Sequence, residues 1–106
     1  GVRVGIMATL RLHQAHVQNN QAEDGAGVFN EGTLLLDGVT VSGNSATGFG
    51  IAGGGVSSTG TLTLRNSTIS GNSASTGGTG AAGGVFVQDG SALIEASTLT
   101  NNTVTG

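Results

Sequence analysis

The 106-residue sequence contains no cysteine, proline, tryptophan or tyrosine, and only three phenylalanines. Without cysteine it can form neither a disulfide framework nor a thiolate metal site. Without proline, and with glycine that does not recur at every third position, it cannot form a collagen triple helix. Aromatic side chains bury the most area per residue, so a core made of Val, Leu, Ile and Ala favours a narrow cross-section over a thick globule.

Charged residues are also scarce, at 8% of the chain, and the formal net charge is −3. Three arginines cannot build the basic stripe that neutralises phosphates, so we predict no nucleic-acid partner. No run of about 20 apolar residues occurs, so we predict no membrane-spanning segment. The chain is nevertheless not a disordered polar tail, because 36% of its residues are hydrophobic and Val, Leu and Ile recur in order.

What the sequence does contain is a repeated unit. Two copies, TLLLDGVTVSGNSA (33–46) and TLTLRNSTISGNSA (61–74), are closely similar, and weaker copies precede and follow them. The first unit overlays the second at an offset of 24 residues, and the second overlays the third at 28. Between the third and fourth units the offset grows from 29 to 30, which predicts an extra residue and a small bulge near 87–89.

Apolar residues within each unit recur at every second position, which is the spacing of strands and excludes helical repeats. Units of this length cannot bury an apolar face alone and therefore stack on one another. We predict an all-β fold, a right-handed parallel β-helix (solenoid) of about four coils with three short strands each. The coils would span about 1–24, 25–52, 53–81 and 82–106 of a single domain, expected to be a fragment of a longer chain or a subunit that stacks.

Stacking places equivalent residues in columns. Phe49 and Ile51, in the first glycine-rich loop, are predicted to fold over an end of the core, with a contact patch as the alternative. Four inward apolar columns are predicted, made of Val4, Val28, Val56 and Val85; Leu10, Leu34, Leu62 and Ala92; Leu12, Leu36, Leu64 and Ile94; and Val17, Val41, Ile69 and Leu99.

Two polar columns are also predicted. Each second strand ends at an asparagine, and stacked asparagine side chains can hydrogen-bond to the ones above and below. The outward position that ends each longer strand carries alternating charges, which we interpret as a charge ladder that keeps like charges apart, with a sugar-cleaving site as the alternative. The structural ladder would consist of Asn20, Asn44, Asn72 and Asn102, and the outer charge column of His13, Asp37, Arg65 and Glu95.

The units GAGVFNEGTLLLDGVTVSGNSA (25–46) and GGGVSSTGTLTLRNSTISGNSA (53–74) resemble the right-handed parallel β-helix repeats of bacterial surface proteins. These are the polymorphic outer-membrane-protein-like, autotransporter-passenger-like and pectate-lyase-like repeats. The resemblance covers essentially the whole chain and is weakest in the first unit, where His13, Gln14 and His16 replace Asp37, Gly38 and Thr40. It implies the fold but not the activity, because such proteins include adhesins, carbohydrate lyases and hydrolases, and structural shafts.

Residues for catalysis or metal binding are not grouped in this sequence. The pectate-lyase-like enzymes it resembles cluster aspartates, whereas Asp24, Asp37 and Asp89 fall in three different columns. His13 and His16 are three residues apart, which would place them on opposite faces of an extended strand. We therefore predict no enzyme activity, no catalytic residue, no metal and no cofactor.

The leading functional hypothesis is a structural or adhesive shaft of a secreted or cell-surface protein that presents an elongated, polar face of serine, threonine and asparagine. Its partners would be further copies or flanking coils stacked on its ends, and cell-surface glycans. The open strand edges at the two ends also suggest assembly end to end into a filament. The alternative is a fragment of a pectate-lyase-like carbohydrate-active enzyme. Ice binding through threonine columns is a third hypothesis, weakened because Ala8, His16, Arg65 and Ser91 interrupt a regular face.

Overall fold

The computed structural model describes residues 1–48, 52–75 and 81–105, and these residues form eighteen β-strands and no helix. The strands follow one another around four coils. Coil 1 contains β1 (Val2–Val4), β2 (Thr9–His13), β3 (His16–Gln18) and β4 (Gln21–Ala22), and coil 2 contains β5 (Val28–Asn30), β6 (Thr33–Asp37), β7 (Thr40–Ser42) and β8 (Ser45–Ala46). Coil 3 contains β9 (Ala52–Gly53), β10 (Val56–Ser58), β11 (Thr61–Arg65), β12 (Thr68–Ser70) and β13 (Ser73–Ser75), and coil 4 contains β14 (Ala81–Ala82), β15 (Val85–Val87), β16 (Ser91–Glu95), β17 (Thr98–Thr100) and β18 (Thr103–Thr105).

Equivalent strands of successive coils pair in parallel. They form four four-stranded sheets: sheet 1 (β1, β5, β10, β15), sheet 2 (β2, β6, β11, β16), sheet 3 (β3, β7, β12, β17) and sheet 4 (β4, β8, β13, β18). A two-stranded sheet 5 joins β9 to β14. The predicted all-β parallel β-helix is confirmed, with sheets 1 to 3 as the three predicted strands of each coil and sheet 4 as a further short wall. No helix among the described residues is long and apolar enough to cross a membrane.

The core consists of the inward-facing residues of sheets 1 to 3. Successive residues of a strand point to opposite faces, so β6 and β11 each direct two leucines inward and their other side chains outward. Five large side chains are at most 1% exposed: Leu34, Leu36, Leu62, Leu64 and Ile69. Ala26, Ala46 and Ala74 form a second, smaller buried cluster, against which Ala22 and Ala81 pack.

The predicted register of the inward columns is correct in sheets 2 and 3 but wrong for the first strand of coil 1. Val2, not Val4, pairs with Val28, and Val4 pairs with Asn30. The cause is the turn at 5–8, which has four residues where the equivalent turn at 31–32 has two. A shift of two residues keeps the same face of a strand inward, so Val4 is still buried, at 3% exposure.

Of the two predictions about loops, one falls on described residues. The extra residue of the fourth unit lies in the turn at 88–90, where Asp89 is left-handed (φ +58°), and the paired positions of β10 and β15 run without a bulge. The shorter equivalent turn at 59–60 has only two residues. Phe49 and Ile51 lie outside the described residues.

The corner between sheets 3 and 4 needs left-handed backbone, which explains its residues. Gly43 and Gly71 have φ of +65° and +63°, and Asn19 and Asn101 occupy the same corner at +57° and +54°. Glycine adopts this conformation without strain, and asparagine is the side chain that tolerates it best.

We expect Gly71→Ala to lower the free energy of unfolding by about 1–2 kcal/mol through backbone strain alone. A Cβ at Gly71 would find only the Gly43 nitrogen, 4.0 Å away, so no clash contributes. Gly71→Asn, the matched control, should lower it by less. Urea denaturation of both variants tests this, and equal losses would contradict a conformational cause.

Candidate functional site on the outer faces of the coils

The four predicted asparagines lie one above another and form a continuous ladder. The Nδ2 groups of Asn20, Asn44 and Asn72 donate to the Oδ1 of the asparagine in the next coil, at 3.0 Å from Asn20 to Asn44 and 2.9 Å in both following steps. Backbone N–H groups of Asn20, Asn44 and Asn72 donate to the same oxygens. The second Nδ2 hydrogen of Asn44, Asn72 and Asn102 goes to a carbonyl oxygen in the preceding coil, that of Val17, Val41 and Ile69 respectively.

This ladder is an internal element of the fold. Asn44 and Asn72 are 1% and 0% exposed, so a ligand outside the coil cannot reach them. Every buried side-chain nitrogen or oxygen among the described residues has a hydrogen-bond partner. Buried polar groups are costly when unpaired, so each buried asparagine depends on its neighbours in the ladder for its hydrogen bonds.

The structure places the outer charge column at the C-terminal ends of the four strands of sheet 2. Strand pairing sets His13 beside Asp37, Asp37 beside Arg65 and Arg65 beside Glu95. His13 Nδ1 lies 3.6 Å from Asp37 Oδ2, and Arg65 Nε lies 3.5 Å from Glu95 Oε2. About half of each side chain in the Arg65–Glu95 pair is exposed, and ion pairs of this kind contribute about 0.2–1 kcal/mol.

One member of this charged face was not predicted. Arg11 directs a guanidinium nitrogen to within 3.9 Å of Asp37 Oδ2, so Asp37 faces both Arg11 and His13 of coil 1. Arg11 is two residues before His13 in β2 and therefore points to the same side of the sheet. The alternation along β2 was the available signal, because it places Arg11 and His13 on the same face. The prediction compared only equivalent positions of successive coils and therefore left Arg11 out.

A second outer surface is uncharged and covered by hydroxyl groups. In coils 2 to 4, every outward residue of the strands of sheets 3 and 4 is serine or threonine. We call this surface the hydroxyl face; it consists of Thr40, Ser42 and Ser45, then Thr68, Ser70, Ser73 and Ser75, then Thr98, Thr100, Thr103 and Thr105. Coil 1 continues its columns with His16, Gln18 and Gln21 instead. Strand spacing sets the rows about 4.8 Å apart.

The remaining candidate residues are dispersed. His13 and His16 both point outward, because a corner at 14–15 separates their strands, so the extended geometry expected for them does not occur. The predicted interruption of a threonine column at Ala8 is also wrong, because Thr9 pairs with Thr33. No group of three or more His, Asp or Glu residues in the described ranges could hold a metal ion.

An open groove of about 320 Å³ lies beside sheet 1, lined in part by Arg3, Asp24 and Phe29. Its polar groups engage the protein itself. Arg3 pairs with Glu31 at 2.9 Å and lies over the ring of Phe29, with its Cζ 5.6 Å from the centroid. Asp24 Oδ1 accepts a hydrogen bond from the Gly53 nitrogen at 2.9 Å.

Stacked parallel coils, alternating inward columns and a buried asparagine ladder define the protein as a β-solenoid. The model of the right-handed beta helix region matches residues 1–106, and the chain belongs to that family. No curated protein and no solved structure matches the chain. The family establishes the fold and its right hand, and it contains both enzymes and non-enzymes, so function has to be inferred from the surfaces.

Proposed function

We propose that this chain is a structural and adhesive shaft segment of a secreted or cell-surface protein, without catalytic activity. The hydroxyl face is the observation that carries the proposal. It offers eleven uncharged side chains that each donate and accept hydrogen bonds, in rows set by the backbone rather than by flexible loops. Such a surface suits a polymer that also presents repeated hydroxyl groups, and we propose cell-surface glycans as that partner.

The interior supports a shaft role. Its polar groups are used in stacking: the asparagine ladder joins all four coils, and Ser67 donates to the Leu36 carbonyl and accepts from the Val39 nitrogen. Repeats of this kind bury a continuous core and give a stiff, quasi-one-dimensional element. The geometry therefore holds an outer surface at fixed spacing along an axis.

Binding to immobilised polysaccharides tests the adhesive role. Thr68→Arg combined with Ser70→Arg places two bulky charges in the middle of the hydroxyl face, at outward positions of β12. We expect binding to weaken by about tenfold or more, which corresponds to about 1.4 kcal/mol. Thr61→Arg, on the outer side of β11, is the matched control and should leave binding unchanged. Equal weakening by both variants, or no binding of the parent chain to any polysaccharide, would contradict the proposal.

A carbohydrate-active enzyme fragment is the second candidate, and the surroundings of Asp37 favour it. A carboxylate beside Arg11, His13 and Arg65 on the outer side of a sheet could meet an acidic sugar. Release of products from polyuronides, with and without Ca²⁺, decides between the two. Turnover that is lost in Asp37→Asn and retained in Thr33→Ala would replace the shaft proposal with the enzyme.

A further inference from the structure

The inward residues of coil 4 form an apolar surface that no described residue covers. Ile94, Leu99 and Val104 are 44%, 44% and 52% exposed, whereas their counterparts in coil 3, Leu64, Ile69 and Ala74, are fully buried. The outer edges of β15 to β18 lie around this surface, and unpaired strand edges accept further strands. We call it the coil-4 face, and the opposite side of coil 1 the coil-1 face.

We propose that the coil-4 face binds the coil-1 face of a second copy of this chain, head to tail and in register. The inference rests on the proposed shaft function, because it extends the same stack between molecules. Three independent columns support it, and each would continue across the junction without a change of spacing.

The apolar columns match across the junction. Continuing the observed pairing of sheets 2 and 3 places Ile94 on Leu12 and Leu99 on Val17 of the next copy. Leu10 and Leu12 are half-buried and pack against the core, and Val17 is a core residue that is 7% exposed. Each contact repeats an apolar pair of the kind already present between coils 2 and 3.

The charge column determines the direction of stacking. Within the chain, Arg11 and His13 of coil 1 face the carboxylate of Asp37, and Arg65 of coil 3 faces Glu95. Head-to-tail stacking would place Glu95 against Arg11 and His13 of the next copy, so that Glu95, like Asp37, would have basic groups in the coils on both sides. Two coil-4 faces together would run β16 antiparallel to its copy, so Glu95 would lie opposite Ser91 without a basic partner. Two coil-1 faces would oppose Arg11 to Arg11, so only the head-to-tail arrangement pairs opposite charges.

The asparagine ladder has the same polarity. In every internal step, the backbone and side-chain N–H groups of one asparagine donate to the Oδ1 of the asparagine in the next coil. Asn102 ends this series with its donors, and Asn20 begins it with an Oδ1 that no other ladder member of its own chain faces. Asn102 of one copy can therefore donate to Asn20 of the next, which only the head-to-tail arrangement permits. A contact between two different faces does not close on itself and gives an open fibre.

Cysteine cross-linking of the whole 106-residue chain tests the arrangement, because the chain has no native cysteine. Thr9 and Ser91 occupy the two ends of one outward column of sheet 2. Within one molecule they are three rows apart, about 14 Å, which is too far for a disulfide. Across the proposed junction they become neighbours at about 4.8 Å, within disulfide range.

Under mild oxidation, we expect Thr9→Cys combined with Ser91→Cys to give a ladder of covalent oligomers on a non-reducing gel. Thr9→Cys combined with Leu93→Cys is the out-of-register control, because Leu93 is an exposed outward residue of the same strand and those positions would lie about 8 Å apart, beyond disulfide range, so it should stay monomeric. Dimers from either single cysteine variant, equal cross-linking of both pairs, or monomers only would overturn the proposal.

Sedimentation velocity supplies a readout without cysteine. Leu99→Asp should shift the parent chain's oligomers to monomer, whereas Thr98→Asp, one residue away on the outer side of β17, should not. A parent chain that sediments as a monomer at every concentration also contradicts head-to-tail stacking. That result would leave the shaft proposal standing, because glycan binding by the hydroxyl face is measured separately.

Discussion

Asn72→Ala is expected to lower the free energy of unfolding by about 3–5 kcal/mol, because the substitution leaves several buried groups without partners. Asn72 Oδ1 accepts the backbone N–H and the side-chain N–H of Asn44, and Asn72 Nδ2 donates to the Val41 carbonyl. Asn72 is fully buried, so water cannot replace these bonds without opening the coil. Equilibrium urea denaturation measures the loss.

Asn20→Ala is the matched control for the ladder. Asn20 is half-buried and donates one side-chain hydrogen bond, to Asn44 Oδ1, which still accepts the backbone N–H of residue 20 after the substitution. Its expected loss is about 1 kcal/mol. Similar losses at positions 20 and 72 would mean that the ladder does not stabilise the interior in the way its hydrogen bonds indicate.

Gly55→Ala is expected to cost about 3 kcal/mol or more, through steric overlap rather than backbone strain. A Cβ at this position would lie 2.6 Å from the Gly84 carbonyl oxygen and 3.0 Å from both Ile69 Cγ2 and Asn72 Nδ2. The first contact is with backbone of the next coil, which cannot move without breaking sheet hydrogen bonds. Overpacking of a core typically costs 1–3 kcal/mol, and a clash with backbone lies at the upper end or beyond it.

Gly5→Ala separates this effect from the general cost or benefit of exchanging glycine for alanine. A Cβ at Gly5 would meet no atom within 4 Å, so we expect a change of no more than about 0.5 kcal/mol. Thermal and urea unfolding of the two variants measure the difference. A Gly55→Ala variant as stable as Gly5→Ala would show that the coils can separate more easily than their packing indicates.

The sequence predicted most of the fold because both the alternation of apolar residues and the longer unit recur along the chain. Apolar residues at alternate positions, recurring at 28 residues between the two best copies, set Leu34 against Leu62 and Val41 against Ile69, as observed. The same repeat predicted that Asn44 and Asn72 would meet, and their side chains lie 2.9 Å apart. A stacked fold makes a column of any position that recurs, so periodicity alone is enough to pair these residues.

The errors occurred where one coil departs from the repeat. The turn at 5–8 is two residues longer than its counterpart, and an ungapped overlay of the first unit therefore paired Val4 with Val28 instead of Asn30. Because the shift was even, the inward face was still correct. A turn length is set by local backbone geometry, which one copy of a divergent unit does not reveal.

The sequence predicted the candidate functional surfaces only in part. Alternation placed His13, Asp37, Arg65 and Glu95 in one outer column, but the approach of Arg11 to Asp37 depends on a long side chain crossing to the neighbouring row. A polar face of serine, threonine and asparagine was predicted for the shaft, but the extent of the hydroxyl face was not. Sheet 4 was not predicted, so the serines and threonines after each asparagine were not recognised as a continuation of sheet 3.

By itself, the sequence determined that this protein is a stack of coils, which residues face inward and that asparagine joins the coils. These properties follow from the repeat of the unit and from the alternation of apolar residues within it. Only the tertiary structure decided how closely the walls of a coil approach one another and which inward side chains are covered. Gly55 can pack directly against Ile69 and Asn72, and Ile94, Leu99 and Val104 are exposed, because of distances between segments that are far apart along the chain. Those distances depend on the lengths and geometry of all the turns in a coil, which the pattern of a single repeat does not specify.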